Sequence, residues 1–294
     1  MTRVIRTTLA VAMIVFWAWA AVAQSPAGDY LDVYIVQVKP DKRAEFDNLS
    51  KRMAEANRHN GDQWLAMETM YGEGNTVTFV SQRKNYGEID DAMGKFMAAA
   101  QKSFGTGMEK MFNDFGACLQ SSRGELRQRR WDLSWNAPSS PADYAKLIGQ
   151  SKYLRTNMIR VRPGHTAEFE AMLKELKAAR EKNSQGDVGL VSQVVAGQPG
   201  TVFYVTTLKS NMAGFDSVPT MQKVLGDDAY ANLMKKSTEV VETVYTVINR
   251  FLPDQSAAPE EVVAAGGDFW QPKPVMAINA KKKTKSTQKG EPGQ

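Results

Sequence analysis

The chain has little cysteine and little histidine. One cysteine, Cys118, and two histidines, His59 and His165, are spread over 294 residues. An intrachain disulfide is therefore excluded. Positions 59, 118 and 165 make no metal-ligand spacing, so no metal site and no cofactor are expected. Phosphate loops are missing as well. Gly72-x-Gly74 and Gly105-x-Gly107 lack the further glycines and the lysine that cradle a phosphate. No nucleophile-elbow sequence appears, so catalytic residues stay unassigned. The carboxylate pairs Asp90-Asp91 and Asp227-Asp228 sit beside helical segments and read as caps or solvated faces.

A strong charge bias is also missing from the body. The whole chain carries +5. Residues 1–23 hold two of those charges, 254–294 net +1, and 24–253 net only +2. No whole-domain basic footprint exists, and no nucleic-acid partner is expected. The basic character sits in the end of the chain, "KKKTKSTQKGEPGQ". That composition points to a disordered Lys-rich tail over 254–294, able to contact an anionic surface.

The chain opens with a leader pattern. Arg3 and Arg6 precede an uncharged apolar stretch, 9–23, of 15 residues. It is shorter than the roughly 20 residues that cross a bilayer. Ala21-Val22-Ala23 forms a small-x-small cleavage site, so 1–23 reads as a signal peptide and the protein as periplasmic or extracellular. No cysteine stands at the cleavage point to carry a lipid. Cys118 falls in the apolar series Met108, Met111, Phe112, Phe115, Leu119 and reads as a packed small hydrophobe. A free nucleophile or an intermolecular bridge is the alternative.

The body repeats itself. "VKPDKRAEFD" (38–47) returns as "VRPGHTAEFE" (161–170), with Pro40 and Pro163, and Phe46 and Phe169, 123 residues apart. "TVTFV" (76–80) returns as "TVFYV" (201–205) at a spacing of 125. Each copy starts with a β-rich stretch that ends at a proline. An amphipathic helix follows, with Asp41 as its candidate cap in the first copy. Next come a hairpin around Gly72-Glu73-Gly74 or Gly197-Gln198-Pro199-Gly200, a second helical region and a closing strand. The order β-α-β-β-α-β is the ferredoxin-like split motif. The fold class is α+β: two tandem repeats, 30–135 and 152–253, joined by a linker at 136–151. A one-sided sheet must cover its bare face, so the repeats are expected to pack sheet to sheet as an intramolecular α+β barrel.

On the strand-Pro-x-x-x-Ala-Glu-Phe openings and the two hairpins, 30–253 resembles the dimeric α+β barrel superfamily, which includes antibiotic-biosynthesis-type monooxygenases. The resemblance implies a ligand between sheet and helices or inside the barrel. Some members degrade haem with an Asn, a Trp and a His. Asn157 and Trp64 are present here, but neither second helix has a histidine. His165, in a strand-to-helix turn, does not match a proximal haem ligand.

Strand alternation supplies the site candidates. Tyr34, Val36 and Val38, with Asn157, Ile159 and Val161, form the more apolar set expected to face the helices. Ile35, Gln37 and Lys39, with Met158, Arg160 and Arg162, would face the barrel. An inward Arg160 would meet an anionic ligand or pair with Glu68. Ligand-binding candidates are therefore Arg160, Gln37, Trp64 and Tyr204. Trp270 and its neighbours fall outside both repeats. The leading expectation is an exported protein that binds a small anionic or aromatic molecule. Alternatives are a cofactor-free monooxygenase-like enzyme and an envelope interaction protein, each as monomer or homodimer.

Overall fold

The computed structural model describes residues 28–182 and 187–271. The expected leader and the lysines at 273–289 lie outside the described residues. The first repeat runs β1 (Tyr30–Val38), α1 (Arg43–Asn57), β2 (Leu65–Tyr71), β3 (Thr76–Arg83), α2 (Gly87–Phe104), α3 (Met108–Ala117) and β4 (Leu119–Arg129). A connecting helix α4 (Pro141–Gly149) follows. The second repeat runs β5 (Tyr153–Val161), α5 (Thr166–Lys182), β6 (Leu190–Ala196), β7 (Thr201–Lys209), α6 (Met221–Leu225), α7 (Asp227–Val240) and β8 (Val241–Phe251). A last helix is α8 (Glu260–Gly266).

The duplicated phrase has a physical purpose in each copy. Pro40 and Pro163 stop the first strand, because proline cannot donate to the ladder. The helix that follows drops its phenylalanine under the sheet. Phe46 and Phe169 are buried, with ring centroids 6.4 Å from Phe79 and 4.9 Å from Phe203. Asp41 is not the cap of α1: it lies in a 3-10 turn, Pro40–Lys42, that leads into the helix. Cys118 is buried and donates to the Asp114 carbonyl at 3.3 Å. Burial pushes its thiol pKa up, away from the thiolate that a nucleophile needs.

Each repeat forms a sheet in the order β4-β1-β3-β2 or β8-β5-β7-β6. The sheets join edge to edge, β2 to β8 and β6 to β4, into a closed eight-stranded barrel. Both joins are antiparallel and hold four residue pairs, against nine between β1 and β4. Contacts beyond the ladder reinforce them. At β2/β8, Glu68 accepts from Arg43 at 2.7 Å and from Arg250. The chain after β8 also crosses over, with Trp64 Nε1 donating to the Gln255 carbonyl at 2.8 Å. At β4/β6, the Arg130 amide donates to Val191 at 2.9 Å, and its guanidinium reaches Gln193 and Glu170.

Two segments expected to lie outside the packed repeats, one as a linker and one as a disordered tail, form a plug. The 136–151 linker contains α4, capped by Ser140, whose hydroxyl accepts from the Asp143 amide at 3.1 Å. The tail is not solvated from 254 onward. Residues 254–271 are folded, with Val262 and Trp270 buried. Composition misled here because the lysines after 272 masked the apolar content before them. α4 and α8 pack together, and with Trp270 they join one core cluster with Leu65, Leu154, Leu190, Leu208 and Phe251. Those residues sit at one end of the barrel, so the plug closes that end. The approach is tight: a Cβ on Gly149 would stand 2.7 Å from the Val262 carbonyl oxygen and 2.8 Å from the Ala265 Cβ.

The plug should therefore be part of the folding unit. Trp270→Ala is expected to cost about 3–5 kcal/mol, and Gly149→Ala about 1–3 kcal/mol. Urea unfolding followed by tryptophan fluorescence checks both. Wild-type midpoints would show that the segment beyond β8 is dispensable.

Candidate functional site

Side chains alternate across each strand, and the helices cover the outer face. Leu31 and Ile35 point inward from β1, Thr78 and Val80 from β3, and Leu154, Thr156 and Met158 from β5. Tyr204, Thr206 and Leu208 follow from β7, and Tyr245, Val247, Asn249 and Phe251 from β8. They line a cavity of about 1300 Å³. Eight strands leave room for packed side chains or one small ligand. Here the volume stays open because threonines (Thr69, Thr76, Thr78, Thr156, Thr206) occupy many inward positions. The cavity continues past Trp64 to Glu88, Ala92 and Lys95 on α2.

One strand contributes three of the four arginines of the lining. Arg123, Arg127 and Arg129 of β4 line the cavity. Between them stands Glu125, whose side chain is fully buried. Glu125 accepts from Arg127 Nε and Nη2 at 2.9 and 2.6 Å, and from Arg123 Nε at 3.3 Å. Gln198 and the Tyr204 hydroxyl add bonds of 2.7 and 2.9 Å. Burial alone would raise the Glu125 carboxyl. The Arg127 charge and the bonds from Gln198, Arg127 and Tyr204 outweigh it, and the pKa falls below the ordinary carboxylate value. Burial, with the neighbouring carboxylate, pushes Tyr204 the other way, up to about 12, despite the opposing Arg127 charge. Tyr204 is thus a neutral donor at any ordinary pH, and Arg127 lies 3.5 Å over its ring centroid.

The equivalent strand of the second repeat is different. Strand pairing sets Arg123, Glu125 and Arg127 opposite Ile35, Val33 and Leu31. It sets Tyr245, Val247 and Asn249 opposite Met158, Thr156 and Leu154. The copies match at these positions, so charge on β4 faces uncharged residues on β8. The cavity is amphipathic because the duplicated halves have diverged.

The four sequence candidates divide. Tyr204 and Trp64 line the cavity. Trp64 is held by its bond to Gln255 and by the edge of Phe96, centroids 6.0 Å apart, so its polar atom is already used. Gln37 and Arg160 do not line the cavity. They share the parity of Ile35 and Met158 but stand toward the far ends of β1 and β5. Arg160 donates to the Pro199 carbonyl in the β6–β7 turn. It does not pair with Glu68, which serves Arg43 and Arg250 on the outer side. Val36, Val38, Ile159 and Val161 do pack toward the helices, and neither histidine reaches the cavity lining.

The spacing of 125 between "TVTFV" and "TVFYV" also needs correction. Val36 pairs with Val77, and its counterpart Ile159 pairs with Phe203, which makes the spacing 126. A one-residue slip moves every side chain to the other face. Phe79 consequently packs on Phe46 outside, whereas Tyr204 points inward. Sequence reading missed Arg123, Glu125, Arg127 and Arg129. Their period-2 spacing was the available signal, but the face they occupy depends on the partner strands.

The buried carboxylate can be tested through stability. Its proton is held less tightly in the folded state, so its contribution is complete above the ordinary value of about 4.5 and is lost as pH falls through the depressed one. Glu125→Ala leaves Arg127 buried without its anion and should cost about 3–5 kcal/mol at neutral pH. Glu125→Gln should flatten the acid limb of the stability profile. Urea melts from pH 3 to 7 read both effects, and an unchanged acid limb in Glu125→Gln would assign the acid sensitivity to other carboxylates.

No protein-family model matches the sequence. No curated protein matches it either. Solved structures are similar in fold. An anthrone oxidase-like protein aligns at 11% identity and TM-score 0.50, over 78% of this chain and 93% of its own. A monooxygenase candidate from Lactobacillus acidophilus NCFM aligns at 10% identity and TM-score 0.48, over 78% and 95%. Chlorite dismutase from Candidatus Nitrospira defluvii, in complex with imidazole, aligns at 9% and 0.45, over 83% and 97%. With its strand order and closed barrel, the chain has the dimeric α+β barrel fold, both ferredoxin-like halves being supplied by one polypeptide.

Proposed function

We propose that this chain is an exported binding protein that holds a small molecule inside its barrel. The observation that carries the reading is the cavity of about 1300 Å³. It exceeds the roughly 300–1,000 Å³ of ordinary ligand pockets and reaches the exposed Glu73, Lys84 and Lys95, which gives a ligand a way in. Buried polar atoms along the wall support an occupant: Thr76 Oγ1 and the Nε atoms of Arg83 and Arg129 have no hydrogen-bond partner. Most of the wall is apolar or hydroxylic, which suits binding through shape and burial. Closure of both seams within one chain supports a monomer. The leader pattern at 1–23 supports export.

Titration with the uncharged fluorophore N-phenyl-1-naphthylamine tests binding. Saturable enhancement with one site per chain is expected, weakened in Thr206→Trp, whose indole would project into the cavity while the circular dichroism stays native. Folded protein with no saturable response would overturn the binding reading. Mass spectrometry of the native protein tests export separately. A chain beginning at Gln24 in the extracytoplasmic fraction is expected, and an unprocessed cytoplasmic chain would refute export.

A further inference from the structure

We infer that the ligand is an amphiphilic anion, with a carboxylate head against Arg123 and Arg127 of β4 and an apolar body running toward β5 and β8. This rests on the binding reading above and adds the ligand's chemistry and orientation. β4 presents three guanidinium groups to the cavity, and its one inward carboxylate, Glu125, is buried beneath them rather than exposed in the lining. The carboxylates of the wall (Asp29, Asp62, Glu73, Glu88, Glu261) all stand off the barrel strands, on loops or helices. Arg83, the other arginine of the lining, is already neutralised by Asp62 at 2.7 Å, with Asp32 at 3.4 Å.

Glu125 does not use up the β4 donors. Arg127 gives it Nε and Nη2, and Arg123 gives it only Nε. Their other guanidinium nitrogens have no hydrogen-bond partner among the described residues. Arg129 bonds the Tyr144 hydroxyl and forms no ion pair among the described residues. At Arg127, whose side chain is mostly out of water, cation in excess of the carboxylate is unfavourable without a further anion, while the half-exposed Arg123 stands where an entering ligand meets it. Planar guanidinium forks match a carboxylate in charge and in geometry. The opposite wall offers no charge and sets Leu154, Met158, Val247 and Phe251 beside Thr156, Tyr245 and Asn249, which suits an uncharged, largely apolar body.

The test uses the full chain and three probes of equal length: dodecanoate, dodecanol and dodecylamine. Each displaces N-phenyl-1-naphthylamine. Dodecanoate should displace it at concentrations about tenfold or more below the other two, the size expected of charge-assisted hydrogen bonds. The preference should shrink as salt rises. Arg123→Gln, at a half-exposed position where the fold should tolerate it, should reduce the ratio of dodecanoate to dodecanol affinity, and Arg127→Gln should reduce it further. Fluorophore binding with dodecanol equal to or tighter than dodecanoate would overturn the anionic head while leaving the binding reading intact. Failure of the fluorophore itself to bind would remove both.

Discussion

The two short seams that close the barrel are the constraint on which the rest of the structure depends. Each holds four residue pairs, and without them each repeat would present open strand edges and a bare sheet face. Closure turns two one-sided sheets into a single wall and defines an inside. It also explains why polar contacts gather at the seams. Glu68 ties α1 to β8, the backbone of 252–257 latches β2, and Arg130 ties β4 to β6 and α5.

Within that wall the duplication has been used asymmetrically. The helix-facing positions of both copies keep the same character, because each must bury a phenylalanine under its sheet. The inward positions are free of that demand and have separated. On the inward face β4 carries charge and β8 carries none. The buried Glu125 is what makes the charged strand tolerable. It holds Arg127 in place over Tyr204, and the depressed carboxyl and raised phenol keep one anion and one neutral donor side by side. Buried ionic groups of this kind are weak evidence for stability and better evidence for a specified geometry.

The plug gives the barrel a closed end. α4 and α8 come from opposite sides of the second repeat, yet they meet at Gly149 and Gly266 and bury Trp270 among residues contributed by both halves. Sequence between and after the repeats therefore belongs to the fold as much as the repeats do.

The sequence by itself determined the repeat, the order of elements and the face on which Phe46, Val36, Phe169 and Ile159 would pack. These are local matters: proline ends a strand, and periods of two and 3.6 sort side chains onto faces. Tertiary structure alone decided which strands meet, how deep along the barrel a residue sits and what covers it. Arg160 and Gln37 have the inward parity but stand toward the strand ends, beyond the cavity lining. Tyr204 points inward through a register that sequence alignment placed one residue away. The charges of β4 acquire an interior only when β6 and β1 close around them, and Trp270 finds its site only against a helix more than a hundred residues earlier. Register, depth and cover depend on long-range pairing, which no local pattern encodes.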